Sequence, residues 1–442
     1  MAVRFHHLFC CAALATLSFS SSAQAATTIT WWHAMEGVLG EKVNEIADEF
    51  NASQDEYVVK PVYKGSYSDN LTATIAAFRA NQAPAITQVF EVGTATMMNA
   101  AGAIYPIHQL MEETDTPFDP DAFLPAVKSY YTSSDGQMLS MPFNSSTPVL
   151  YYNKDAFREA GIETPPATWK AVGEAAHKLV ESGASECGLT TAWPSWTQLE
   201  NFSAIDDLPF ATHANGFDGT DARLVFDKQE ATVAHIQDLA EWQKSHAFEY
   251  GGRADSGTKR FQSGRCAMLT TSSASRAGIQ EAAEGKFTFG IAPLPYDAKA
   301  VNQPRNSIIG GASLWVMRGQ SEAVYRGVAR FLNFLSSPAI QADWASFTGY
   351  VPITTAAYQR LKSQGFYADN PGASVAIDQL TRGTPNDNGR GVRLGNMPQI
   401  RNIIAEQLEK AFNGDEPAAA ALQEAARRGN QELAQFQQSV AR

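Results

Sequence analysis

The chain is short of the side-chain arrangements that hydrolytic and metal chemistry need. Its 442 residues contain no G-x-S-x-G turn to expose a nucleophilic serine and no H-E-x-x-H pair to hold zinc. The 8 histidines are scattered, and none stands at ligand spacing from Cys or Asp. His33, beside Trp31 and Trp32, reads as a hydrogen-bonded buried histidine. Gly252-Arg253-Ala254-Asp255-Ser256-Gly257-Thr258-Lys259 comes nearest to a phosphate loop, but it reverses the final Lys and Thr and runs into polar sequence. No catalytic residue, no metal ligand and no cofactor is therefore expected.

Long apolar runs are also missing. None reaches the roughly 20 residues of a membrane span, so no direct membrane insertion is expected. The one short apolar run, Leu8 to Phe19, follows a positive head at Arg4, His6 and His7 and precedes Ala23-Gln24-Ala25, an A-x-A cleavage site. Together they read as a signal peptide over residues 1–25, hence export to the periplasm. Cys10 and Cys11 leave with it, and no small residues precede Cys11 as a lipid anchor requires. Cys187 and Cys266 remain, each just ahead of an expected strand; they either bridge or stay as two buried thiols. Basic residues are few, 34 against 46 acidic, and the leader removes one more base from a net charge of −12. That field argues against nucleic acid or anionic membrane as partner. Any anion site must be positive locally.

What is present alternates. A β-type run at Thr27 to Trp32 precedes a helix whose Val43, Ile46, Ala47 and Phe50 recur at i, i+3, i+4 and i+7. Strands at Tyr57 to Tyr63 and Ala85 to Phe90 and a helix at Leu71 to Ala80 continue the pattern. It resumes after Asp135 with strands at Met138 to Pro142 and Val149 to Tyr152 and a helix from Trp169. Helices end the chain, from Pro398 to Phe412 and from Pro417 on. This predicts an α/β protein whose sheets are mostly parallel and flanked by helices. The length exceeds one ordinary core, so two lobes are expected, crossed several times by the chain. The division expected is 26–140 with 312–350, and 141–311 with 351–442.

Ligands of such sheets bind beyond strand carboxyl ends. Four polar turns stand at expected ends: Lys64-Gly65-Ser66-Tyr67, Glu91-Val92-Gly93-Thr94, Asn144-Ser145-Ser146-Thr147 and Thr270 to Ser275. The last leads into a helix at Arg276, where hydroxyls and free N–H groups either hold a phosphate or cap the helix. Gly310-Gly311 breaks an expected strand, for close backbone approach or as a bulge. Arg401 lies early in a helix with Asn396 as expected N-cap, a place unfavourable to a cation by roughly 0.3–1 kcal/mol. An anionic ligand reverses that sign; an ion pair with a carboxylate is the other reading. Trp193 and Trp196, in a proline-bearing loop, offer faces to a polyol or a quaternary ammonium.

The chain resembles the extracellular solute-binding proteins of ABC importers related to maltose-binding protein, in the branch that takes sn-glycerol 3-phosphate. Trp32 to Gly37, Glu91 to Met98, Pro142 to Pro148, Gln198 to Ser203, Ile309 to Trp315 and Arg393 to Arg401 carry the resemblance over essentially the whole mature chain. It implies two α/β lobes that close by a hinge, two permease subunits and a cytoplasmic ATPase as partners, and a monomer. It implies a ligand shell of Tyr67, Glu91, Ser146, Ser272, Gly311, Tyr350 and Arg401, with Trp193 and Trp196 stacking. The ligand implied is sn-glycerol 3-phosphate or a glycerophosphodiester such as glycerophosphocholine. A receptor for a neutral sugar and a secreted phosphodiesterase are the rival readings.

Overall fold

The computed structural model describes Met1, residues 25–100 and residues 102–441. The signal peptide expected over 1–25, Cys10 and Cys11 included, lies outside the described residues apart from its two ends. Among the described residues no helix is long and apolar enough to cross a membrane.

Among the described residues, ten strands form two sheets, each flanked by helices. β1 (Thr27–His33), β2 (Tyr57–Tyr63), β3 (Ile86–Phe90), β4 (Ile104–Tyr105), β5 (Met141–Ser146) and β10 (Gly310–Met317) make the first. β6 (Pro148–Asn153), β7 (Cys187–Thr191), β8 (Cys266–Ser272) and β9 (Phe289–Pro293) make the second, in the order β7-β8-β6-β9. The expected apolar stripe forms the buried face of the helix Gly37–Ser53, where Val43, Ile46, Ala47 and Phe50 are all at most 3% exposed. Ser321 caps the helix Glu322–Leu335 by accepting from the Val324 N–H, and Val328, Phe331, Leu332 and Leu335 enter the same core.

The two-lobed α/β arrangement is as expected, but the sheets are mixed where mostly parallel ones were predicted. Only β1 with β2, β1 with β3 and β7 with β8 pair in parallel; β10 runs antiparallel to β3, β4 and β5, and β6 antiparallel to β8 and β9. The antiparallel strands are those that carry the chain between sheets. β5 ends at Ser146 and β6 starts at Pro148, so a single residue, Thr147, makes the crossing. The strand expected at Met138 to Pro142 starts three residues later, and Asn144 to Ser146 belong to β5, not to a turn. The expected division also put residues 141–146 in the second lobe, whereas β5 hydrogen-bonds into the first sheet. The C-terminal helices Met397–Asn413 and Ala418–Val440 pack on the helix Glu230–Lys244, which belongs with the second sheet.

Cys187 and Cys266 are disulfide-bonded. They lie inside β7 and β8, not ahead of them, and face each other in register across the parallel pair. The question left open by the sequence is settled by that register.

Candidate functional site

A cavity of about 670 Å³ opens between the two sheets. Its wall contains Tyr67, Glu91, Ser146, Trp193, Trp196, Ser272, Gly311, Tyr350 and Arg401, the nine residues singled out from the sequence. Most come from strand ends and helix starts. Glu91 follows β3, Ser146 ends β5, Ser272 ends β8 and Gly311 is the second residue of β10.

Tyr67 opens the helix Tyr67–Arg79, whose start is fixed by a reciprocal cap between Ser66 and Asp69. Its ring stacks on Phe90 at 5.4 Å, and its hydroxyl accepts from Asn144 Nδ2 at 2.9 Å. Asn144 Oδ1 accepts in turn from Gln88 Nε2 (2.8 Å), and Gln88 Oε1 from the Ala34 N–H (2.8 Å). Tyr350 stacks on Trp344 at 5.5 Å, and Trp344 on Phe143 at 4.8 Å. Both phenols are thus held by rigid layers before any ligand arrives.

The glycine pair meets two needs at once. Gly311 has φ +90, and a Cβ there would lie 1.8 Å from the Asn144 carbonyl oxygen. A Cβ on Gly310 would lie 2.3 Å from the Trp196 ring. The close approach is therefore to the protein's own backbone and indole. Trp196 is 4% exposed and starts a π-helical turn, Trp196–Glu200, instead of standing in an open loop. Trp193 is half-buried, with φ +52.

Arg401 is where expectation and structure part. Its Nε donates to Glu200 Oε1 at 2.8 Å and its Nη2 to Glu200 Oε2 at 2.7 Å, while Glu91 Oε1 stands 2.6 Å from Nη2. The carboxylate pairing set beside the anion reading is thus present. Burial acts to lower the guanidinium pKa, but Glu200 and Glu91 outweigh it and hold the group above its ordinary value. Burial pushes the Glu91 carboxyl up, with Arg401 opposing. No bond reaches Arg401 Nη1 among the described residues. Asn396 does not cap by its side chain: it is left-handed, φ +51, and its Nδ2 donates to the Glu432 carbonyl.

Of the expected Thr270 to Ser275 turn, Thr270 to Ser272 end β8, Ser273 to Ser275 form a 3-10 turn capped by Ser272, and the helix after it has no side-chain cap. Ser272 Oγ accepts from the Ala274 N–H at 3.1 Å, ahead of the helix Arg276–Ala283. His33 is buried, accepts from the Met35 N–H through Nδ1, and burial lowers its pKa to about 4, so it is neutral. Cys187, Cys266 and Glu249 cluster with ligand-like spacing, but both sulfurs are spent on the disulfide and Arg265 and Arg260 take the carboxylate. Sequence reasoning missed Glu200, and also Asp255 and Thr258 of the rejected phosphate-loop segment, which line the cavity. The polar residues around Leu199, Gln198, Glu200 and Asn201, were the available signal for Glu200.

Residues 45–374 match the profile of the bacterial extracellular solute-binding proteins. The sn-glycerol-3-phosphate-binding periplasmic protein UgpB of Yersinia pseudotuberculosis is 51% identical over 98% of both chains. Its Escherichia coli namesake is 52% identical over 96% of both. The crystal structure of UgpB from Mycobacterium tuberculosis in complex with glycerophosphocholine superposes with a TM-score of 0.78. It covers 93% of this chain and 99% of that one at 22% identity, a likeness of fold.

Proposed function

The chain belongs to the bacterial extracellular solute-binding protein family, and from that premise we propose that it is the periplasmic receptor of an ABC importer for sn-glycerol 3-phosphate. The observation that carries the reading is Arg401 at the wall of the 670 Å³ cavity, in a chain about half identical to glycerol-3-phosphate-binding proteins. Two permease subunits and a cytoplasmic ATPase complete the importer, and the receptor breaks no bond. The cavity has room for more than a glycerol phosphate, so glycerophosphodiesters such as glycerophosphocholine are ligands too.

Arg401 offers its guanidinium to the phosphate, and the Ser272 hydroxyl and Gly311 backbone complete its shell. Glu91 accepts from glycerol hydroxyls; Tyr67, Tyr350 and Ser146 supply the remaining polar contacts. Trp193 and Trp196 cover the ligand's other end, where an indole face attracts a quaternary ammonium. Because the wall is assembled from both sheets, a ligand that touches all of it favours the closed arrangement of the lobes.

Titration calorimetry with glycerol 3-phosphate, glycerophosphocholine and maltose tests the assignment. Arg401→Lys keeps the charge but loses the planar fork, and is expected to weaken phosphate ligands roughly tenfold or more. Affinity for glycerol 3-phosphate unchanged in this variant would remove Arg401 from the phosphate site. Binding of maltose alone would make the protein a sugar receptor.

A further inference from the structure

The two carboxylates that share Arg401 are not equivalent. Glu200 grips Nε and Nη2 with both oxygens, and Ser195 Oγ donates to its Oε1 at 2.9 Å. Its side chain is 1% exposed, and it does not line the cavity. Glu91 holds Nη2 through one oxygen and lines the cavity. One cation with two anions leaves this buried cluster with a surplus negative charge. Two like charges about 4 Å apart repel by about 4 kcal/mol at an effective dielectric constant near 20. An arriving phosphate and an ionised Glu91 therefore compete for the same guanidinium.

We propose that Glu200 is the fixed positioning residue of Arg401 and Glu91 its exchangeable partner, so that an incoming phosphate displaces Glu91 from Nη2 and binding takes up a proton. The inference rests on the organophosphate reading above. The balance is simple: ionised Glu91, the phosphate ligand and one solvent proton give a complex in which Glu91 is a neutral carboxyl. No covalent bond forms or breaks. The freed carboxyl can then meet the glycerol hydroxyls as donor or acceptor.

The charged and titratable groups facing Glu91 are Arg401, Glu200 and the phenols of Tyr67, Tyr130, Tyr131 and Tyr350. Burial raises all four phenols, so none changes charge near neutral pH. In the free protein burial already pushes Glu91 up against the opposing Arg401. Losing that bond on ligand binding pushes it further. The complex thus binds more protons than the free protein, and affinity falls as pH rises between the two values.

A glycerophosphodiester isolates the protein's proton, because a monoester phosphate has its own second pKa of about 6 and a diester does not. Calorimetry of glycerophosphocholine binding near neutral pH, in buffers of different ionisation enthalpy, counts the protons. Net uptake is expected in the wild type and in Glu200→Gln, and none in Glu91→Gln, whose affinity should also become independent of pH. Binding without uptake in the wild type, or uptake that persists in Glu91→Gln, overturns the inference. Uptake lost in Glu200→Gln but kept in Glu91→Gln overturns it as well, by exchanging the two roles. Absence of any diester binding sinks the organophosphate reading itself, and the inference with it.

Discussion

Arg401 is placed by partners that lie far from it in the chain. Removing it leaves Glu91 and Glu200 buried, adjacent and uncompensated, so Arg401→Ala is expected to cost about 3–5 kcal/mol of stability in denaturant unfolding. A loss well under 1 kcal/mol would mean that water reaches the pair. Asp206 is a second buried carboxyl. Its Oδ1 accepts from the Asp297 N–H at 2.8 Å, its Oδ2 has no partner, and burial pushes its pKa up to about 8. The native state therefore keeps a proton that the unfolded chain releases near pH 3.9. That contribution is complete below about pH 4 and is lost as pH rises through about 8. Asp206→Asn, which imitates the protonated form, should flatten the decline of the unfolding midpoint between acid and mildly alkaline pH; an unaltered decline would clear Asp206. At this scale the sequence was readable unevenly. Arg401, Trp193 and Trp196 were singled out from their own positions, but the full set of nine was named through resemblance, since no period or spacing distinguishes Ser146 or Tyr350 from an ordinary buried hydroxyl. Glu200 stayed hidden because what sets it apart is a contact across 201 positions.

Periodicity served the elements well where one face is apolar, as in Gly37–Ser53 and Glu322–Leu335. It failed for β5, a strand buried along its whole length, which has no alternation to read, and its polar Asn144-Ser145-Ser146 imitated a turn. The parallel character was over-predicted for a related reason: element order shows alternation, but which strands pair, and in which direction, is visible only as contacts. Gly310 is the sharpest test of an element-level fit. Alanine there would drive its Cβ into Trp196, so Gly310→Ala should cost about 1–3 kcal/mol and shift tryptophan fluorescence. Unchanged stability and emission would show that the indole can move freely. The disulfide ties β7 to β8 across 79 positions, and paired replacement by serine is expected to cost about 2–4 kcal/mol in chemical unfolding.

For the whole molecule, the two sheets are joined by a one-residue crossing at Thr147 and a second crossing into β10, both beside the cavity. On the proposed reading, a ligand that contacts both sheets favours a closed form, and that form docks on the permease. The family accounts for the architecture, while the proposed chemistry depends on Arg401 at the wall and the carboxylates that hold it. The most direct test is a calorimetric titration of the purified mature protein with sn-glycerol 3-phosphate, followed by recovery of the ligand. One molecule bound per chain, saturably, and returned unchanged is the result predicted. No heat at any concentration, or a ligand returned cleaved, would contradict the account.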